Sequence, residues 1–399
     1  MTTVQQAEHI ILNQVRSYGT EEIGFEQSPG RVLAEDIFAD RDMPPFNRVT
    51  MDGIAINYSA YADGLRTFHI AATQAAGDKP VDITASDQCI EIMTGAVLPD
   101  TLDTIIRYED VLITGTKAEV VVDTVKAGQN IHFKGRDKQL GDVVAAKGKI
   151  ITPAIIGIMA SAGKTRVLVK KIPKTVIISS GDELVDVHET PAPYQIRKSN
   201  NYTIKAALQQ QGVQADMLHI PDDPEITQTE IANCLKNYDV ILLSGGISMG
   251  KFDYIPQALE QVGVAKLFHK VQQRPGKPFW FGADRNGALV FAFPGNPVAT
   301  FMCLHRYFLP WLNAAMGLDE KPARYAALSQ DFNFEPDLQY FLQVKTTLTG
   351  DARLIASPLA GNGSGDFANL ADTDAFLELP AGRNEFEAGE VFRLWSFDQ

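Results

Sequence analysis

Apolar positions along this chain fall into three textures. Residues 1 to about 172 open on "VQQAEHIILNQV", whose spacing predicts an amphipathic helix. Strand-like runs follow, "TFHIAA", "TIIRYEDVLI" and "AEVVVDT", punctuated by turn signals at "AGDKP" and "KAGQN", before a short apolar helix, "TPAIIGIMASAG". From about 173 to 318 the pattern alternates. "KTVIISSGDEL" reads as strand then turn, "SNNYTIKAALQQQG" as a helix ending at Gly212, "VQADMLHI" as a strand, and "DPEITQTEIANCLKN" as a helix with Pro224 in its first turn. "DVILLSGG" and "GALVFAFPGNP" are further strands that end in glycine, and "PVATFMCLHRYFLPWLNAAMG" predicts a long helix kinked at Pro310. Residues 319 to 399 return to β patterning in "YFLQVKTTL", "ARLIASP", "DAFLELP" and "EVFRLW". The fold class expected is therefore multidomain α/β plus β. A doubly wound parallel α/β domain occupies 173–318, a helical and β-rich region spans 1–172, and a small β domain spans 319–399.

Bulk composition narrows the function. At 399 residues and 45% hydrophobic the chain suits about two to four globular domains. No apolar stretch approaches the roughly 18 residues of a membrane span, and the first residues lack the basic n-region and the small-residue cleavage site expected of a signal peptide. Three scattered cysteines without a CxxC predict a reducing compartment, hence a cytoplasmic location, and no zinc site. The seven histidines show no HxxxH or HExxH pairing. A net charge of −13 with no basic stripe argues against nucleic-acid binding but leaves room for a small anionic ligand.

Candidate chemistry gathers in the middle texture. Three strands end in related turns, "ISSGDEL", "LLSGGISMG" and "AFPGNPVAT". Ligands of open parallel sheets bind beyond the carboxyl ends of the strands, where glycine lets backbone N–H groups approach an anion. Gly245, Gly246 and Ser248 are therefore expected to cradle a phosphate-like group, although the sequence is neither GxxxxGK[ST] nor GxGxxG. If Val264 to Arg274 is one extended segment, Lys266, Lys270, Gln272 and Arg274 share a face, with Lys270 and Arg274 about 13 Å apart. That spacing suits an elongated ligand with more than one anionic group, and the "RPGKP" turn adds Lys277. Asp52, Glu183, Asp222, Asp223 and Asp253 are the acidic complement. Each alone is a turn former or helix cap; gathered beside a phosphate cradle they would suit Mg²⁺. No Ser/His/Asp or Cys/His set for covalent catalysis stands out.

Taken in order, "GRVLAEDIFADRDMPPFNRVTMDGIAI", "MTGAVLPD", "ISSGDEL", "SGGISMGKFDY", "RPGKPFWFG" and "FPGNPVAT" resemble the MoeA-type molybdopterin molybdenumtransferase family, related to the gephyrin E domain. The resemblance spans nearly the whole chain. It implies a homodimer, with an inserted β domain at roughly 54–140 and a C-terminal β-barrel-like domain. It also implies insertion of molybdate into adenylylated molybdopterin, with Mg²⁺-assisted cleavage of the pyrophosphate and release of AMP. By the same resemblance Asp52, Glu183, Asp222 and Asp253 are the catalytic acids, the last three of them metal ligands. Thr94, Asp137, Gly245, Gly246, Ser248, Lys270, Arg274, Lys277 and Ser364 are substrate-binding residues. Val49, Thr50, Ile54 and Gln343 depart from the family's usual residues. A molybdopterin adenylyltransferase and molybdoenzyme apoproteins are the implied partners, with no nucleic acid and no membrane. A non-catalytic molybdopterin carrier, the adenylyltransferase itself and a CinA-like hydrolase are the competing readings; the N-terminal "PPFNRVTMDG" element argues against the last.

Overall fold

Runs such as "VIISS", "VILLS" and "LVFAF" have no polar face, so as strands they must be covered on both sides. The computed structural model describes residues 1–247, 254–320, 322–359, 361, 363 and 365–397, and it buries every residue of those three strands. The chain divides into two units: residues 1–22, 30–32 and 168–399 form one, residues 23–29 and 33–167 the other.

In the larger unit the central sheet has six strands, ordered Ala215–Ile220, Thr175–Ser180, Val240–Ser244, Leu289–Phe293, Trp280–Ala283 and Ala265–His269. The first four run parallel. Trp280–Ala283 runs antiparallel to both of its neighbours, so the sheet is mixed where the strand–helix alternation predicts a parallel one. The reason is local: the short connections after His269 and Ala283 have room for turns but not for crossover helices. Ile177, Leu242 and Phe291 enter one core, while Val176, Ile178, Ile241, Leu243 and Val290 enter the core on the other face. Helix Pro224–Asn237 starts where the Asp223 carboxylate accepts the N–H groups of Glu225 and Ile226, each at 2.9 Å. Helix Ser199–Gln210 stops before Gly212, at φ +72°.

The N-terminal helix Val4–Leu12 carries a Thr3–Gln6 capping box and sends Val4, Ala7 and Ile11 into the first core beside Leu309, Trp311 and Leu312. The long C-terminal helix differs from its expected form. It runs as Pro297–Cys303, a π-helical turn Leu304–Phe308, and Leu309–Ala315, with Pro310 in the first turn of the last piece. Proline offers no N–H to the preceding turn and its ring crowds the carbonyl four residues back, so widening falls just before it. That turn presents Arg306, 2% exposed, whose two terminal nitrogens donate to the two Glu8 oxygens at 2.8 Å each. Glu378 lies 3.4 Å from Arg306 Nε and accepts from Trp395 Nε1 and Gln339 Nε2.

The neighbouring His305 has no hydrogen-bond partner on either ring nitrogen among the described residues, and burial pushes its pKa down to about 4 from 6.5. Between those values the unfolded chain binds a proton that the folded chain does not. Stability is therefore complete above pH 6.5 and falls as the pH drops through that window, by about 1.4 kcal/mol per unit at most. Melting temperature against pH should show this slope, and His305→Phe should flatten it.

Beyond the long helix, strands Gln339–Leu348, Leu354–Pro358, Arg324–Leu328, Val391–Ser396 and Ala375–Leu379 close into a barrel, because the last pairs back with the first. Gln273–Arg274 adds a sixth strand beside Gln339–Tyr340. The smaller unit holds a six-stranded mixed sheet with Gly53–Ile56 buried between Gln88–Ile92 and Thr104–Arg107. No helix among the described residues is long and apolar enough to cross a membrane.

Candidate functional site

The glycine-ended strands Thr175–Ser180, Val240–Ser244 and Leu289–Phe293 lie side by side in register, so their turns meet at one edge. Gly245 N–H donates to Phe293 O at 3.2 Å, and a Cβ on Gly295 would lie 3.5 Å from Gly245 Cα. Asn200 clamps the edge: its Nδ2 donates to Ser244 Oγ and Gly295 O, both at 2.8 Å, and to Thr300 Oγ1 at 3.3 Å. Gly246 has φ +65°, and a side chain there would come within 2.6 Å of Ser180 Oγ and Ile255 Cδ1. Ser180 Oγ is buried with no partner among the described residues. An unsatisfied hydroxyl costs about 1–3 kcal/mol, so a polar ligand group at this turn would stabilise it.

Acidic residues flank the turns. A Cβ on Gly181 would stand 2.3 Å from Glu183 Oε2, so the glycine, at φ +130°, makes room for that carboxylate. Asp182 and Asp222 exchange backbone-to-carboxylate hydrogen bonds of 3.4 and 3.1 Å. Thus "PDDP" splits its labour: Asp223 caps a helix and Asp222 faces the turn of Asp182 and Glu183. His219 Nδ1 contacts Ser179 Oγ at 3.1 Å. Its pKa lies below the ordinary value, first through burial and then through Lys198, against the pull of Ser179, Asp182 and Glu183. Among the described residues no group of three His, Cys, Asp or Glu side chains is placed to hold a metal. Asp253, the third member of the expected metal set, lies outside the described residues, as do Ser248 and Ser364.

Cations reach this edge differently from the sequence expectation. The strand ends at His269, whose Nε2–H donates to Ile247 O at 3.3 Å. Lys270 then turns to φ +71°, with its N–H on Phe279 O and its carbonyl accepting from Thr2 N–H. Gln273–Arg274 has left for the barrel sheet. Lys266, Lys270, Gln272 and Arg274 are therefore not one strand face, because the left-handed residue at 270 breaks the two-residue alternation. Lys277 is exposed in the turn, and the Arg274 guanidinium lies 5.9 Å from the Phe334 ring.

The smaller unit carries the other expected residues. Asp52 Oδ1 accepts the Thr94 N–H at 2.6 Å and its hydroxyl at 2.8 Å. The Thr94 N–H, then the hydroxyl, hold the Asp52 carboxyl below its ordinary pKa. Tyr108 N–H donates to Asp52 O, and its hydroxyl to Glu91. Asp137 Oδ1 pairs with His132 Nε2 at 2.9 Å, and His132 Nδ1 contacts Arg48 at 3.0 Å. Val49 and Ile54 are buried in this unit's cores, and Gln343, in the barrel, accepts from Asn369 Nδ2. Sequence reasoning passed over Asn200, Ser180, Thr300, His219 and Glu91. The one local signal was the asparagine pair in "SNNYT", polar at the start of a helix where exposed polarity is ordinary.

Three family models cover the chain: the MoeA N-terminal region (domains I and II) at 2–163, a probable molybdopterin-binding domain at 176–314, and the MoeA C-terminal region (domain IV) at 325–397. A molybdopterin molybdenumtransferase of Synechocystis is 40% identical over 400 residues, covering all of both chains. One from Staphylococcus epidermidis is 31% identical over 396 residues, 98% of this chain and 94% of its own. Among solved structures, a molybdopterin biosynthesis MoeA protein from Pyrococcus horikosii superposes with a TM-score of 0.84 at 27% identity, covering all of both chains.

Proposed function

We propose a mechanism from one premise: the chain belongs to the MoeA family and acts as a molybdopterin molybdenumtransferase. Its substrates are molybdate and adenylylated molybdopterin. Molybdenum joins the dithiolene sulfurs, one phosphoanhydride bond breaks, and AMP leaves. The observation that carries this reading is the clamped glycine edge, where Ser180 Oγ, beside Gly246, has no partner among the described residues.

The Gly246 N–H would bind a phosphate oxygen, with the Ser180 hydroxyl as a further donor, while the Gly245 N–H stays on Phe293 O and holds the turn in place. Lys270, Arg274 and Lys277 supply charge for the second phosphate and for molybdate. Asp52, oriented by Thr94 in the smaller unit, is the further acid that the family resemblance assigns to the reaction. The donor chemistry suits Mg²⁺: Glu183 and Asp222 offer hard oxygens at one turn, and Mg²⁺ is commonly held by one or two carboxylates plus substrate phosphate. Glu183, Asp222 and Asp253 are the residues that would hold it, and its contribution is to neutralise charge on the leaving phosphate. The family supports a homodimer working in the cytoplasm between a molybdopterin adenylyltransferase and recipient apoenzymes.

The deciding experiment is AMP release by the purified chain from adenylylated molybdopterin and Mg²⁺, with and without molybdate. Molybdate-dependent release, with molybdenum retained on the pterin, is expected. Tight pterin binding without release would make the protein a carrier.

A further inference from the structure

The edge of the central sheet opposite the glycine turns holds a second concentration of charge. A cavity of about 640 Å³ opens at the amino ends of the parallel strands. Arg16, Arg31, Lys171, Lys174 and Lys236 line it, against Glu21 and Asp239. The helices Ser199–Gln210 and Pro224–Asn237 both end on this side, and each C-terminus contributes about half a negative charge. Roughly two positive charges remain unanswered, in a chain whose net charge is −13.

Register sets the span. Thr175 pairs with Ala215 and Val240, and Val240 with Leu289. Gln214, Lys174, Asp239 and Ala288 therefore form a row across four strands, about 14 Å long at roughly 4.8 Å per strand. Several of the cations are seated by groups that leave their charge uncancelled. Lys174 Nζ lies 4.8 Å from the Tyr238 ring centre, and the Arg16 guanidinium 5.0 Å from that of Tyr18. A Cβ on Gly287, at φ +93°, would fall 1.7 Å from Arg16 Nη1, so the bare glycine makes the seat for this guanidinium. Arg31 donates to Lys170 O at 2.8 Å as well as pairing with Glu21 at 2.6 Å. The Asp239 carboxylate is already engaged by the Lys174 N–H at 2.8 Å.

We infer that this cavity binds a small diphosphate-bearing anion, at a site separate from the glycine edge. The two edges stand the length of the strands apart, about 17–20 Å for the six residues Thr175–Ser180. The residual charge suits linked phosphate groups, the row is more than long enough to hold them, and the volume lies within the roughly 300–1,000 Å³ of small-molecule sites.

Calorimetric titration with sodium pyrophosphate tests this on the full chain carrying Lys270→Ala and Arg274→Ala, which weakens the opposite edge. Binding of one pyrophosphate per chain is expected, declining steeply above roughly 150 mM salt. Adding Arg16→Gln and Lys174→Gln should weaken it at least tenfold. Lys171→Gln with Lys236→Gln, both at exposed positions, tests the same charge should the first pair impair folding. ADP in place of pyrophosphate separates the sources: tenfold tighter binding marks a nucleotide, equal binding a free polyphosphate. No binding at about 1 mM, or unchanged affinity in both lysine- and arginine-depleted proteins, overturns the assignment.

Discussion

Asp52→Asn should fold normally and lose molybdate-dependent AMP release by on the order of a hundredfold or more. The asparagine keeps the shape of the side chain. Its Oδ1 can still accept the two Thr94 bonds of 2.6 and 2.8 Å, so the loop keeps its geometry. What disappears is the negative charge. Both Thr94 donors meet Oδ1, and the carboxyl is held below its ordinary pKa of 3.8, so Asp52 is charged across the working range. Turnover should not fall through titration of this group until the pH drops below that value. Because Asp52 is exposed, the swap costs little stability. A large fall in kcat with an unchanged melting temperature is the expected pair of readings. Full turnover would remove Asp52 from the reaction, and a matching fall in melting temperature would give it a structural role instead.

Arg306→Met should be the most damaging single change to stability, at about 3–5 kcal/mol. Methionine fills the space of the stem, so packing is largely kept. The loss is electrostatic: Glu8 and Glu378 remain buried or half-buried without their shared cation. Burial alone would raise the Glu8 pKa, but Arg306, with help from Arg393, holds it below the ordinary value. Deprived of Arg306, Glu8 would bind a proton more readily, because burial then acts with less opposition, or drag its helix out of the core. Thermal unfolding at pH 7 reads the loss. Adding Glu8→Gln and Glu378→Gln should recover much of it, since removing a whole buried charge cluster costs far less than removing one member. An unchanged midpoint for Arg306→Met would mean the cluster is hydrated in solution.

The three glycine turns were legible because strand periodicity and glycine act locally, within a few residues of chain. The parallel half of the sheet followed from strand–helix alternation for the same reason. The cation face was misread because one residue, Lys270, turns left-handed, and nothing about lysine announces φ +71°. The irregularity of the long helix was legible at Pro310, but the π turn before it was not, because such a turn leaves apolar composition unchanged. Asp52 and Thr94 were picked out by resemblance, but their contact joins positions 42 residues apart, beyond any local pattern. Asn200 is the instructive omission. Its partners Ser244, Gly295 and Thr300 come from three later segments, so its role exists only once the sheet has assembled.

The interleaving of the two units bears on how the chain is made. The N-terminal helix is synthesised first, yet Val4, Ala7 and Ile11 belong to the core that also needs Leu309, Trp311 and Leu312, and Glu8 waits for Arg306. Residues 33–167, by contrast, are complete when less than half the chain exists. At roughly 5–20 residues per second the first helix spends about 15–60 seconds without its partners while the smaller unit can already close. Ribosome-bound chains from which residue 167 has just emerged should therefore show a protease-resistant core beginning after the first helix, and that helix should become protected only once residue 316 has emerged. The apolar stripe that anchors the finished enzyme is, during synthesis, the segment most in need of a chaperone.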